Sequence, residues 1–147
     1  MRLVEITKDN WEEVVEMTSN KDGIPTLYEG FVTGNAYSIL QAFFEEGWET
    51  RAIEEEGKIV GFTMFGKGPD DLPEICRLLI DRKYQNRGLG RRALSLITEE
   101  MKKDTSFKEI YISAEPENER GLHLYRSFGF KDTGRMVEGE VLLVMKI

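Results

Sequence analysis

Two glycines and three arginines lie together at the start of an amphipathic helix. The segment reads Gln85-Asn86-Arg87-Gly88-Leu89-Gly90-Arg91-Arg92 and follows an apolar run, residues 75–80, that has the pattern of a strand. Backbone N–H groups without side-chain crowding, the positive end of a helix and nearby cations are the elements of a phosphate site. The segment therefore predicts a phosphate-bearing ligand at the start of this helix.

The same glycines also match the dinucleotide fingerprint G-x-G-x-x-G/A, from Gly88 to Ala93. In the dinucleotide fold the first glycine follows the strand almost at once, whereas seven residues separate Ile80 from Gly88 here. The acid expected about 20 residues later would be Glu109, which precedes the next apolar run instead of ending it. The nicotinamide alternative is therefore disfavoured.

The elements that must position the glycine segment follow from hydrophobic periodicity and turn residues. We expect strands at residues 3–6, 48–53, 58–65, 74–81, 110–112, 130–133 and 141–145. We expect four helices: one over Trp11 to Met17, one capped by Asn35 with Ile39, Leu40, Phe43 and Phe44 facing inward, one from Gly88, and one over residues 118–128. This order predicts an α/β (α+β) fold with a mixed sheet and helices on both faces.

The charge is distributed unevenly along the chain. The net charge is −7, and residues 1–50 carry ten acidic against three basic side chains. Basic residues cluster around the glycines and form no broad basic surface, which argues against nucleic acid. We expect a polyanionic ligand at the basic cluster and a cationic ligand elsewhere, although the acidic excess is equally explained by solubility.

A chain of 147 residues fits one domain, residues 1–147, with one core. No apolar run reaches the ~18 residues that cross a bilayer, and the first residues do not resemble a signal peptide. We therefore expect a cytoplasmic protein without membrane contact. A single cysteine, Cys76, and a single histidine, His123, make a disulfide framework or a metal site unexpected.

Two motifs of this chain resemble those of the GCN5-related N-acetyltransferase (GNAT) family. One is the family's acetyl-CoA signature, Gln/Arg-x-x-Gly-x-Gly/Ala, and the other is an Asn followed seven residues later by Tyr and then by a Gly-Phe pair. The matching residues are Gln85, Gly88, Gly90, Asn118, Tyr125, Gly129 and Phe130. With the flanking strands the resemblance covers residues 55–147, and within the family the motifs look most like bacterial spermine/spermidine (polyamine) acetyltransferases.

The resemblance implies a mostly antiparallel central sheet of about seven strands flanked by about four helices. It also implies transfer of an acetyl group from acetyl-CoA to a primary amine by direct attack in a ternary complex, without a metal. The phosphates would bind at the glycine segment, and the pantetheine arm would lie beside the preceding strand like an added strand. The cofactor-binding residues implied are Leu78, Leu79, Ile80, Gln85, Asn86, Arg87, Gly88, Leu89, Gly90, Arg91, Arg92 and Asn118.

The resemblance also assigns the proton donor, whereas the proton acceptor is less clear. Tyr125 matches the family's donor, and transfer from a phenol of pKa ~10 to a thiolate of pKa ~8.5 is uphill by roughly 2 kcal/mol; alternatively it is a core aromatic. Polyamine acetyltransferases of this family carry an acid where this chain has Cys76, so we nominate Glu74, two residues earlier, acting through water. Glu115 is a second candidate. Cys76 is expected to be a buried small residue and not a nucleophile, and His123 to be structural.

The acceptor is expected to be a small cationic amine, with polyamines the leading class. Acids of the first two helices and their loop, among them Glu12, Glu16, Asp22 and Glu29, could bind its second ammonium. Alternatives are another amine, such as an antibiotic or a peptide N-terminus, and a non-catalytic acyl-CoA-binding module. Because family relatives often dimerise, a homodimer is a further expectation.

Overall fold

A computed structural model describes residues 1–19, 28–29, 32–68 and 71–147. Its strands are β1 (Arg2–Val4), β2 (Tyr28–Glu29), β3 (Val32–Thr33), β4 (Trp48–Glu55), β5 (Lys58–Lys67), β6 (Pro73–Ile80), β7 (Glu109–Ala114), β8 (Lys131–Val137) and β9 (Glu140–Lys146). Its helices are α1 (Trp11–Glu16), α2 (Asn35–Phe44), α3 (Leu89–Met101) and α4 (Glu119–Phe128), with one 3₁₀ turn at Arg82–Tyr84.

Seven of the strands form one sheet in the order β1-β4-β5-β6-β7-β9-β8, and β2 pairs with β3 separately. Neighbouring strands of the large sheet are antiparallel except for β6 and β7, which are parallel. A parallel pair needs a crossover connection, and α3 provides it. The prediction of a mixed, mostly antiparallel sheet is confirmed.

Helices cover both faces of this sheet. On one face, Leu94 and Ile97 of α3 pack against α4 and against every second residue of β7, for example Ile112. On the opposite face Val14 of α1 packs against Phe62 of β5. Because side chains alternate along a strand, each central strand contributes to both cores. Within the described residues no helix is both long and apolar enough to cross a bilayer.

The rotation of α2 differs from the prediction. Three side chains expected to face inward are 58%, 79% and 78% exposed, namely Leu40, Phe43 and Phe44. Asn35 is not a cap; it is buried in the first turn and its Nδ2 donates to the Val14 carbonyl oxygen at 2.8 Å. A helix that is apolar on several sides does not specify its own buried face. Here the bond from Asn35 to α1 and the packing of Ile39 and Ala42 against the core hold the observed face inward.

The closing hairpin is longer than predicted. β8 runs to Val137 and not to residue 133, and Val137 pairs with Glu140 across a two-residue turn. Both turn residues, Glu138 and Gly139, have left-handed φ angles of 51° and 87°, as tight hairpins require. A Glu-Gly pair is a weaker turn signal than Asn-Gly, so the prediction from sequence ended this strand too early.

Candidate active site

The parallel strands β6 and β7 separate near the centre of the sheet. Their pairing is limited to two positions, Glu74 and Ile75 of β6. Beyond this point β6 stays paired with β5 and β7 stays paired with β9. The result is a gap between residues 78–80 and residues 113–114, which we call the β6–β7 cleft.

A β-bulge at Cys76 lies where the strands begin to separate. Phe65 of β5 pairs with Ile75 and Met64 with Arg77, so Cys76 is the extra residue. Bulges bend a strand and increase its twist, which turns β6 away from β7. The bulge also brings neighbouring side chains together, since Arg77 Nη1 donates to Cys76 Sγ at 3.1 Å.

Alternation along β6 shows which backbone groups face the cleft. The Asp81 N–H donates to β5 at 2.9 Å, so by alternation Leu79 also points toward β5, and Leu78 and Ile80 point toward the cleft. A Cβ atom on Gly61 of β5 would lie 2.3 Å from the Leu79 carbonyl oxygen, in agreement with this assignment. The cleft edge of β6 therefore presents the N–H groups of Leu78 and Ile80.

Gln85 connects the end of β6 to the first turn of α4. Its Nε2 donates to the Ile80 carbonyl oxygen at 3.0 Å, and its Oε1 accepts from Arg120 Nη1 at 3.2 Å. Asn86 and Gly88 have φ angles of 64° and 71°, both left-handed. The loop therefore folds back tightly before α3 begins.

The two signature glycines are needed for different structural reasons. A Cβ atom at Gly88 would meet nothing within 4 Å, whereas one at Gly90 would lie 3.3 Å from Leu124 Cδ2. Gly88 thus provides a left-handed turn facing open space, and Gly90 lets α3 approach α4. Leu89 is buried, so only its backbone faces the loop. The first turn of α3 has no acidic residue, which leaves its N–H groups and positive dipole unneutralised.

The three arginines of this segment have different partners. Arg92 makes two bonds to the Glu55 carboxylate, at 2.7 and 3.1 Å. Arg91 Nη1 and Nη2 both donate to the Ser127 carbonyl oxygen at 3.3 Å. Arg87 lies over the Tyr84 ring, 5.8 Å from its centroid, and has no carboxylate partner among the residues described. Arg87 is therefore the arginine most available to an anionic ligand.

Tyr125 is both a core aromatic and a titratable group beside the cleft. It is 8% exposed, packs in the same core as Ala114 of β7, and its ring centroid lies 6.3 Å from that of Phe130. Burial, and then the charge of Glu140, raise the pKa of Tyr125 to about 12. The phenol is therefore protonated at neutral pH. The core-aromatic description of Tyr125 therefore applies, and its role as a proton donor stays a prediction.

Three carboxylates act on the Cys76 thiol. Burial raises the pKa of Cys76 to about 11; Arg77 opposes the increase, and Glu74, Glu140 and Glu45 add to it. We call these three the cleft carboxylates. A thiol with this pKa holds little thiolate at neutral pH, which agrees with the expectation that Cys76 is not a nucleophile.

Two of the cleft carboxylates were missed by sequence reasoning. Glu45 Oε2 accepts from Trp48 Nε1 at 3.0 Å, and Glu140 Oε2 accepts from Ser113 Oγ. Glu140 follows Gly139 and reads as a turn residue. The signal that could have found it is its alternation with Leu142 on the last strand, because residues two apart share a face.

The remaining candidates lie around the site or away from it. The Asn118 side chain accepts from the Gly121 N–H at 2.9 Å and caps α4. The Glu115 carbonyl oxygen accepts from the Asn118 N–H at 2.9 Å, which places Glu115 in the turn after β7. His123 is exposed on α4. Among the described residues no group of three metal-ligating side chains converges.

Of the acids proposed to bind a second ammonium, the structure describes two, Glu12 and Glu16, which lie one helical turn apart on α1. Glu12 is exposed on α1, and Glu16 lines a cavity of about 400 Å³ near the end of β6 with Thr18, Asp81, Arg82 and Lys83. Asp22 and the side chain of Glu29 lie outside the described residues.

Several curated proteins with similar sequences are named as N-acyltransferases. Spermine/spermidine N(1)-acetyltransferase of Bacillus subtilis (strain 168) is 31% identical over 100 residues, which are 63% of this chain and 66% of that protein. L-amino acid N-acyltransferase MnaT of Escherichia coli (strain K12) is 29% identical over 106 residues, which are 69% of this chain and 61% of that protein. The match thus spans somewhat less than two thirds of each relative.

A solved structure extends the comparison to the whole fold. PaiA N-acetyltransferase from Thermoplasma acidophilum, in complex with coenzyme A, is similar with a TM-score of 0.72 over 99% of this chain and 98% of that chain, at 15% identity. The model of the acetyltransferase (GNAT) family matches residues 7–130. The resemblance noted from two sequence motifs is therefore confirmed, and the chain belongs to the acetyltransferase (GNAT) family.

Proposed function

We propose that this protein transfers the acetyl group of acetyl-CoA to a small cationic amine by direct attack in a ternary complex. The observation that carries the proposal is the β6–β7 cleft, whose unpaired backbone groups lead toward the glycine turn. Acetyl-CoA supplies a thioester carbonyl that a neutral amine can attack. Family membership supports the reaction type.

The residues around the cleft fit such a ligand. Leu78 and Ile80 offer N–H groups to the amide-bearing arm in the manner of an added strand, and one of them can stabilise the oxyanion. The open space at Gly88 and the first N–H groups of α3 suit the pyrophosphate. Arg87 can add charge-assisted bonds. Asn118, through its amide N–H groups, is proposed to reach the arm while its oxygen caps α4.

Arg91 and Arg92 are proposed to contribute mainly through their positive field. Both guanidinium groups already hold protein partners, Ser127 and Glu55. A direct bond to a phosphate would require these contacts to rearrange. The proposed order of importance for anion binding is therefore Arg87 first, then Arg91 and Arg92.

Tyr125 is proposed to protonate the leaving thiolate. With its pKa raised to about 12, transfer to a thiol of ordinary pKa is uphill by roughly 5 kcal/mol, more than the sequence suggested. Burial also raises the pKa of a thiol, as it does for Cys76. Within the site this narrows the pKa difference between Tyr125 and the leaving thiol. The proton transfer therefore stays within reach of a catalysed reaction.

Glu74 is proposed to take the first proton of the incoming ammonium through a water molecule. An amine of pKa ~10.4 requires about 5 kcal/mol to lose its proton at pH 7, so a nearby base lowers a substantial barrier. Glu74 shares its face of the sheet with Cys76, and its charge acts on the Cys76 thiol. Glu115, in the turn after β7, is the alternative.

A polyamine is the proposed acceptor. The cleft carboxylates, Glu45, Glu74 and Glu140, and the acidic first third of the chain create a field that attracts a multivalent cation. Similarity to a spermine/spermidine acetyltransferase supports the same class. Similarity to an L-amino acid N-acyltransferase favours a second candidate, the α-amine of a small molecule.

An acceptor screen tests the proposed function. Release of free thiol from acetyl-CoA would be followed with spermidine, spermine, amino acids, an aminoglycoside and a peptide N-terminus, with N-acetylated spermidine as the matched weaker acceptor. We expect the highest kcat/KM with a polyamine. A preference for amino acids would select the second candidate. Saturable acetyl-CoA binding without turnover on any amine would contradict the enzyme and indicate a binding module.

A further inference from the structure

Helix α2 exposes a row of large apolar side chains. Of the large apolar side chains that are exposed in the described part of the chain, four lie on this helix of ten residues. They are Tyr37, Leu40, Phe43 and Phe44, which are 53%, 58%, 79% and 78% exposed. Positions 37, 40 and 44 follow at spacings of three and four and share one side of the helix, and the Phe43 ring meets the Phe44 ring edge-on at a centroid distance of 5.1 Å. We call these four side chains the α2 patch.

The opposite side of α2 already packs on its own chain. Asn35 and Ser38 are buried there, and Ile39 and Ala42 pack against the core that contains Phe62. The α2 patch therefore faces away from this core. Exposure of so much apolar surface to water is unfavourable, and a contiguous apolar patch of this kind is typical of an interaction surface.

The area of the α2 patch fits a second copy of the same helix. Since an aromatic side chain has on the order of 200 Å² of surface, the exposed fractions of the four side chains amount to roughly 500 Å² per chain. Two such patches packed face to face bury roughly 1,000 Å² before any surrounding contact is added, which is about the minimum for a specific interface. The patch is therefore large enough to form the centre of a dimer contact.

Charge favours an antiparallel pair of α2 helices. The residues of α2, Asn35–Phe44, include no charged side chain, so two copies meet without like charges at the centre of the contact. The exposed Glu46 follows the C-terminus of the helix, and the first turn has no acidic residue. When a two-fold axis relates two antiparallel helices, Glu46 of each copy lies near the positive N-terminal end of the other helix, where a carboxylate is stabilised.

The same composition disfavours a membrane surface as the partner. Helices that lie on bilayers carry Lys and Arg beside their apolar side, whereas α2 has neither and residues 1–50 carry ten acidic against three basic side chains. An anionic lipid surface repels such a segment. We propose that the α2 patch is the interface of a homodimer, in which the α2 helices of two copies pack antiparallel with Leu40 near the two-fold axis. This inference goes beyond the proposed acetyl transfer and does not depend on it.

Sedimentation velocity over a series of protein concentrations is the first test. We expect the wild-type chain to sediment as a dimer, and we expect Phe43→Glu to raise the Kd of the dimer by more than about tenfold, as loss of a central aromatic anchor does. Met136→Glu is the matched control, because Met136 is 56% exposed on the edge strand β8, and it should leave the dimer intact. A wild-type chain that stays monomeric at its highest soluble concentration, or a dimer that survives Phe43→Glu unchanged, would overturn the proposal.

A disulfide across the two-fold axis is a second test that does not require Phe43→Glu to fold. Leu40→Cys would be made in a Cys76→Ala background, so that the introduced thiol is the only one, and oxidised with copper phenanthroline. We expect a cross-linked dimer, because symmetry-related residues at the axis come close enough for a disulfide, whereas Met136→Cys in the same background should stay uncross-linked. Equal cross-linking of the two variants, or none with Leu40→Cys, would overturn the proposal. Binding of the wild-type chain to phosphatidylcholine vesicles that Phe43→Glu abolishes would overturn it in favour of a membrane surface.

Discussion

Substitution of Gly88 separates the conformational role of the glycine turn from its role in binding. Gly88 has a φ angle of +71°, and a Cβ atom there meets nothing within 4 Å. An alanine at Gly88 would therefore lower the free energy of unfolding only by the left-handed strain, roughly 1–2 kcal/mol. For a chain of this size each kcal/mol lowers Tm by roughly 2–4 °C. Gly88→Trp should cost the same left-handed strain as Gly88→Ala, because the Cβ position meets no neighbouring atom.

Binding of coenzyme A should respond differently, because the added side chain occupies the space into which a phosphate would fit. We expect Gly88→Ala to weaken affinity by about tenfold, or ~1.4 kcal/mol, and Gly88→Trp to weaken it by far more. Denaturant unfolding and titration calorimetry measure the two effects separately. Gly57 is the matched control, with a φ of +77° and equally open space in the β4–β5 turn. Wild-type affinity in Gly88→Trp, or equal losses in Gly57→Trp, would refute the reasoning.

Three further outcomes follow from the site. Tyr125→Phe should lower kcat with little effect on KM. Tyr111→Phe is the control and should not lower kcat. Because the pKa of Tyr125 is raised, its phenol contributes stability below pH ~10 that is lost as pH rises toward 12, so Tyr125→Phe should flatten the alkaline loss seen in denaturant unfolding. Arg87→Ala should weaken coenzyme A binding and reduce its salt dependence in calorimetry, whereas Arg92→Ala should change affinity less; the reverse order would contradict the assigned partners. Cys76→Ala should keep turnover within about threefold, and the native thiol should react slowly with a thiol reagent at pH 7; loss of turnover would restore the nucleophile alternative.

Local signals made the glycine loop and most elements predictable from the sequence. Gly88 is required by a left-handed turn, and Asn118 caps the helix that it was expected to begin. These features depend on a few neighbouring residues. The predicted rotation of α2 was wrong because the face that α2 buries is set by tertiary contacts, such as the bond from Asn35 to Val14 of α1, 21 residues away.

The site itself depends on contacts between distant segments, which a single sequence does not display. The arginine partners lie 36 and 37 residues away, at Ser127 and Glu55. The bulge at Cys76 is a matter of register with β5 and has no sequence signal of its own. Glu140 comes next to Ser113 only because β9 inserts beside β7.

Hydrogen exchange of the β6 amides tests the central claim most directly, namely that the acyl carrier pairs with the open edge of β6. Exchange at Leu78, Leu79 and Ile80 would be compared with and without saturating acetyl-CoA. The structure predicts that the Leu78 and Ile80 amides gain protection, while Leu79, which already faces β5, changes little. Unchanged exchange at Leu78 and Ile80 in the saturated protein would contradict the claim.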